Sequence, residues 1–272
     1  MTKLAEKGAK KGAEKKSTRH PVRLLVEVLM LAVYTGAAVT LSQYIVGWLM
    51  IWMVGSEAMQ KPVMVGILSA LTYLLSLATV LALPLKKRAK KHNTKNKEKK
   101  IWSWVNSDHK LLGLVDWPTW TDIGLAVAGF IVYAILASLI LALFSLFPWF
   151  DAAEEQDIGF SLYLSGFDRV IAFLTTVVVA PIAEEIIFRG WLYGWLRNKI
   201  AAEYSNTVSM IISTLVVSVL FGLVHGQWNV GVNVFALSIV LCGFREITGT
   251  IYAGILLHML KNGVAFWLLF MM

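Results

Sequence analysis

Ala180-Pro181-Ile182-Ala183-Glu184-Glu185-Ile186-Ile187-Phe188-Arg189-Gly190 stands inside an apolar run from about Val170 to Leu196. A run of that length and composition is long enough to cross a bilayer as a helix. Three ionisable groups within six residues are costly there. A charge near the bilayer centre costs about 2.5–3.5 kcal/mol even on the most lenient insertion scale. Glu185 and Arg189 are four apart, so they share a helix face and can pair. Glu184 is rotated by about 100° and faces a different neighbour. One carboxylate is then held by arginine while the other stays free to act as a base. A buried Glu–Arg pair by itself is compatible with a purely structural role. That reading leaves the second glutamate unexplained.

The rest of the chain fits a membrane setting. Of 272 residues, 57% are hydrophobic, and the mean hydropathy is +0.66. Such a composition excludes a soluble domain of this size. The net charge of +8 is unevenly placed. Residues 1–23 carry eight Lys/Arg against Glu6 and Glu14, and residues 86–100 carry nine against Glu98. Basic blocks that flank apolar spans mark cytoplasmic segments rather than nucleic-acid sites, and contact with anionic lipid follows from the same charge. No nucleic-acid partner is expected. Cys242 is the single cysteine, which excludes an intramolecular disulfide and a Cys-based metal site.

In order, a basic cytoplasmic tail (1–23) precedes a first span at about Leu25–Val54, with Trp48 and Trp52 as interfacial anchors near its far end. This span is too long for a signal-peptide core and is read as retained. Glu27 lies near its entry, within reach of water. A second span runs from about Val63 to Leu85 and is closed by Pro84. The basic loop 86–100 follows, read as solvated. Residues 101–122 mix Trp102, Trp104, Trp117 and Trp120 with charged residues and suit a segment on the membrane surface. Five further spans are expected at about Ile123–Phe147, Val170–Leu196, Thr207–Val224, Val230–Phe244 and Thr250–Met271. The third is ended by Pro148, and the sixth is short for a full crossing. The loop with Asp151, Glu154, Glu155 and Asp157 lacks Lys and Arg and belongs outside. The expected fold is an all-α polytopic helix bundle of about seven transmembrane helices, six to eight, with the N-terminus cytoplasmic. Its parts are the tail 1–23, an N-terminal membrane region 24–122 and a core 123–272.

The later spans add polar residues. Phe221 and His225 are four apart, as are His258 and Asn262, and residues four apart lie on one helix face. Together with Glu184, Glu185 and Arg189 these are the parts of a hydrolytic site. A carboxylate deprotonates water, neutral histidines position it or bind a metal, and an asparagine donates to a developing oxyanion. With this topology His225 falls near the outer end of its span and Glu184 near mid-membrane. Tilted helices, a site in the outer half or different span boundaries would bring them together. Gly190-x-x-x-Gly194 suggests close helix packing. Pro181 either kinks its helix or is tolerated.

Glu184-Glu185-x-x-x-Arg189, Phe221-x-x-x-His225 and His258-x-x-x-Asn262, in this order, resemble the three motifs of the CPBP family, also called the Abi family. It comprises CAAX prenyl proteases and bacteriocin-processing or immunity proteins. The resemblance covers about Asp168–Phe266. It implies an intramembrane endopeptidase acting on a membrane-associated peptide or protein in a bacterial plasma membrane. By position, Glu184 would activate water, His225 and His258 would orient it or bind a metal, and Asn262 would stabilise the oxyanion. Glu185, Arg189 and Phe221 would support the site. Family naming implies a metalloprotease. A divalent metal such as zinc on Glu184, His225 and His258 and a metal-free, glutamate-activated water both remain open. So do two other functions: a bacteriocin immunity or interaction protein without proteolysis, and a proton-coupled transporter. No inverted repeat of the transporter kind is visible.

Overall fold

The computed structural model describes residues 21–91, 110–154, 160 and 165–272. The expectations for residues 1–20, for the basic loop from 92 and for Trp102 and Trp104 lie outside the described residues. Seven helices are long and apolar enough to cross a membrane. They are α1 (Pro21–Val54), α2 (Pro62–Lys91, apolar over Pro62–Ala82), α3 (Trp120–Phe144), α4 (Gly166–Ala201), α5 (Asn206–Leu223), α6 (Trp228–Thr248) and α7 (Tyr252–Phe270). No strand occurs among the described residues. The chain is an all-helical integral membrane protein.

The helix ends follow local chemistry. Thr119 and Asp122 form a capping box at the start of α3, with the Thr119 amide donating to Asp122 Oδ2 at 2.7 Å. Ser205 accepts from the Val208 amide at the start of α5. Gly249, with φ of 70°, ends α6 in the left-handed conformation that a side chain resists. Several expected boundaries move. Helix α2 does not stop at Pro84 but continues to Lys91, so the first residues of the expected basic loop are helical. Helix α1 begins at Pro21, inside the expected tail. Helix α3 ends at Phe144, four residues before Pro148. Helix α6 has 21 residues and contains Arg245 and Glu246, so it is not short for a crossing. Glu246 is stabilised inside it by Arg197 at 2.7 and 3.2 Å and by the Tyr193 hydroxyl at 2.8 Å. Glu27 likewise does not simply face water. Lys199 holds it at 2.6 Å, joining α1 to the end of α4.

Helix α4 positions the site. Its 36 residues would span about 54 Å as a straight α-helix, well beyond a bilayer core of about 30 Å. Two widened π stretches, Leu174–Val179 and Ile186–Leu192, bracket the α-turn Ala180–Glu185. Pro181 lies just past the first. The wide turn removes the clash that its ring would make with a carbonyl of the preceding α-turn. On one side α4 packs against α1 and α2, where Leu24, Val28 and Val80 meet Ile187, Phe188 and Trp191. On the other, α3, α6 and α7 form a second core around Tyr133, Leu237, Leu241 and Leu257. Helices α5 and α6 form a tight hairpin. A Cβ on Gly222 would stand 2.8 Å from the Gly231 carbonyl oxygen, and the reverse distance is 2.9 Å.

Gly190 and Gly194 do serve close packing, but not between spanning helices. Their faces meet the backbone of Leu112 and Leu111, where added Cβ atoms would stand 2.9 and 2.6 Å from the two carbonyl oxygens. Residues 110–116 are therefore docked into the bundle rather than lying flat on a surface. Arg245 Nη2 donates to the Leu111 carbonyl at 3.0 Å, and the Ile251 amide donates to Gly113 at 3.1 Å. Trp117 and Trp120 beside this segment are 86% and 87% exposed, as interfacial residues would be.

Candidate active site

Glu184 and Glu185 leave α4 in different directions and meet different chemistry. Glu185 is fully buried. Its Oε1 accepts from Arg189 Nη1 at 2.8 Å and lies 3.2 Å from His258 Nδ1. Gly254 on α7 makes room for the other oxygen, since a Cβ there would stand 3.1 Å from Oε2. Arg189 is 1% exposed, and Nε and Nη2 have no hydrogen-bond acceptor. The Phe221 ring faces this guanidinium, 4.2 Å from Cζ, and supplies its π face to the charge.

Glu184 opens into a cavity of about 230 Å³ that His225, His258 and Asn262 also line. The structure thus brings together the four residues that the sequence assigns to chemistry. Glu184 Oε1 accepts from the Tyr73 hydroxyl at 2.6 Å. Its Oε2 lies 3.7 Å from His258 Nε2. His258 therefore stands between the two glutamates, one at each ring nitrogen. With Nδ1–H directed to Glu185, Nε2 is left facing Glu184 Oε2 at a separation that one water can bridge. His225 sits on the turn after α5. Its Nδ1 donates to the Phe221 carbonyl at 2.7 Å, which fixes the tautomer and leaves Nε2 as an acceptor. Asn262 Nδ2 donates to the Thr176 carbonyl at 2.9 Å and retains a second N–H.

Phe221 is central to this arrangement. It is fully buried, with its ring 4.9 Å from His225 and 5.8 Å from His258, both edge-on, and it also faces Arg189. The placement of His225 follows from the hairpin geometry. Helix α5 has 18 residues, about 27 Å, and its turn brings His225 to the level of Glu184 on the longer α4.

Two residues that the sequence reading did not single out stand in the same cavity. Tyr73 comes from α2. Lys261 comes from α7, between His258 and Asn262. A lysine inside an apolar span is a legible signal. A tyrosine is not.

Nδ1 of each histidine is engaged, that of His258 by Glu185 and that of His225 by the Phe221 carbonyl, which leaves each Nε2 as the nitrogen that would meet a water or a metal. Among the described residues, no group of three or more His, Cys, Asp or Glu is placed to hold a metal ion.

Residues 166–264 match the family model described as type II CAAX prenyl endopeptidase, Rce1-like. A membrane-embedded CAAX protease, MroQ, of Staphylococcus aureus (strain USA300) is 32% identical over 86 residues, covering 32% of this chain and 34% of that protein. The chain thus spans about a third of the length of this curated relative. No solved structure matches. The motif residues from Glu184 to Asn262 all lie within the matched interval, and helices α1, α2 and α3 lie outside it.

Proposed function

We propose that the cavity is the active site of an intramembrane endopeptidase in which Glu184 activates water to hydrolyse a peptide bond of a membrane-associated peptide or protein. The observation that carries this reading is the setting of Glu184. One oxygen is held by Tyr73, the other faces His258, and His225 and Asn262 line the same cavity. Water between Glu184 Oε2 and His225 Nε2 gives a proton to the carboxylate, and its oxygen attacks the scissile carbonyl carbon. The second N–H of Asn262 donates to the resulting oxyanion. Collapse breaks the C–N bond, and the proton taken up by Glu184 passes to the leaving amine. The atoms of one water end as acyl hydroxyl and amine hydrogen. The steps use only this chain's own residues. Glu185 and Arg189 hold His258 in register. The names of the matched family and of the bacterial relative support proteolysis at a bacterial plasma membrane.

The test is a comparison of the membrane peptide pool of cells carrying the wild-type chain or Glu184→Gln. The variant keeps the shape of the side chain and removes the base. It should fold normally and lower product formation about 10²-fold or more. Identical peptide pools would sink the proteolytic reading and leave the immunity or transport alternatives.

A further inference from the structure

Lys261 lies on α7, one turn beyond His258, and its side chain borders two cavities. One is the Glu184 cavity. The other, of about 320 Å³, lies between α3, α6 and α7 and is also lined by Tyr133, Asn229 and Asn233. No hydrogen bond or ion pair holds the Lys261 ammonium among the described residues. Glu184 is the charge that faces it across the first cavity. Among the described residues lining the second cavity, Lys261 is the only charged one. An amine placed in an apolar span with no ion-pair partner is expensive to keep and marks a functional position.

The neighbours of Lys261 suit an anion. The Tyr133 hydroxyl donates to Asn233 Oδ1 at 2.7 Å, which orients the amide and leaves its N–H groups as donors. An ammonium with amide donors beside it is a carboxylate-binding set. We propose that this second cavity is a subsite for a substrate carboxylate, held by Lys261 and Asn233 while the scissile bond lies over Glu184. The proposal rests on the proteolytic reading of the first cavity and adds the substrate class. The carboxylate comes either from the end of the peptide chain or from an acidic side chain close to the cleaved bond.

The full chain in phosphatidylcholine nanodiscs tests this, in a His258→Ala background that stops turnover and keeps the Glu184 charge. Three fluorescein-labelled hexapeptides of Val, Ala and Ile serve as probes: the free acid, its C-terminal amide, and an amide ending in glutamate. Fluorescence anisotropy should give at least tenfold tighter binding for a carboxylate-bearing probe than for the plain amide. Lys261→Met should abolish that preference and Lys261→Arg should keep it. Preference for the free acid alone assigns the carboxylate to a chain end. Equal binding of the glutamate amide assigns it to either source. Equal binding of acid and plain amide, binding of no probe, or a preference that survives Lys261→Met overturns the subsite. Should the preference hold while cells show no Glu184-dependent products, the subsite stands and hydrolysis falls.

Discussion

Arg189 keeps its charge where water does not reach, satisfied by one carboxylate and one aromatic face. Removing it leaves Glu185 buried with only His258 beside it. Losing one partner of a buried pair typically costs about 3–5 kcal/mol. Arg189→Ala should therefore lower both the yield of folded protein in detergent and its midpoint of thermal unfolding. Normal yield and stability with lost activity would instead give Arg189 a direct part in the chemistry. Tyr73 makes the opposite prediction. Its hydroxyl contributes one hydrogen bond to a charged oxygen, worth about 1.5–3 kcal/mol. Tyr73→Phe should lower turnover about tenfold or more with little change in KM, and lower the unfolding temperature by only a few degrees. A large loss of stability with unchanged turnover would make Tyr73 a packing residue. The divergence of the two glutamates could be read from the sequence, because adjacent helical residues point about 100° apart. Tyr73 could not, since its partner lies 111 positions away and nothing near it in the chain hints at a carboxylate.

The elements show where pattern reading loses its grip. Spans α1, α3, α5 and α7 were legible as apolar runs between turn and cap residues. Helix α6 read as short because Arg245 and Glu246 look like an end. Tertiary partners, Arg197 and Tyr193 for Glu246 and the Leu111 carbonyl for Arg245, permit those charges inside the helix. The π stretches of α4 were invisible, since a widened turn leaves no fixed period in the sequence. The docked segment 110–113 was hidden in the same way, as Gly190 and Gly194 suggested a spanning-helix partner and met the helical turn 110–112. Gly194→Ala should place a Cβ about as close to the Leu111 oxygen as the 2.6 Å of the present geometry, which real contacts do not tolerate. The backbone must move, at about 1–3 kcal/mol. Limited proteolysis of the variant should then cut faster near residues 110–116. Unchanged cleavage there would show that the segment is not held by this notch.

For the whole molecule, the number of crossings was legible from composition. The way α2 completes the cavity was not, because the motifs cluster after residue 180. The placement of the segments about the membrane is a separate expectation. Residues 1–22 and 86–100 are predicted on the cytoplasmic side and 149–165 on the other, from the Lys/Arg asymmetry. Cysteine labelling in a Cys242→Ser background checks it. Glu155→Cys should react in intact cells, and reaction only after permeabilisation would reverse the topology. The scattering of the site over α2, α4, the turn after α5 and α7 has a further consequence, for the order of synthesis. Tyr73 leaves the ribosome long before Glu184, and His258 and Asn262 emerge later still. A chain stalled before α7 holds a glutamate and a tyrosine with no histidine between the carboxylates. Such a chain has neither the imidazole of His258 facing Glu184 nor the Asn262 donor to an oxyanion. On the proposed mechanism, hydrolysis therefore waits for α7 to take its place in the bundle.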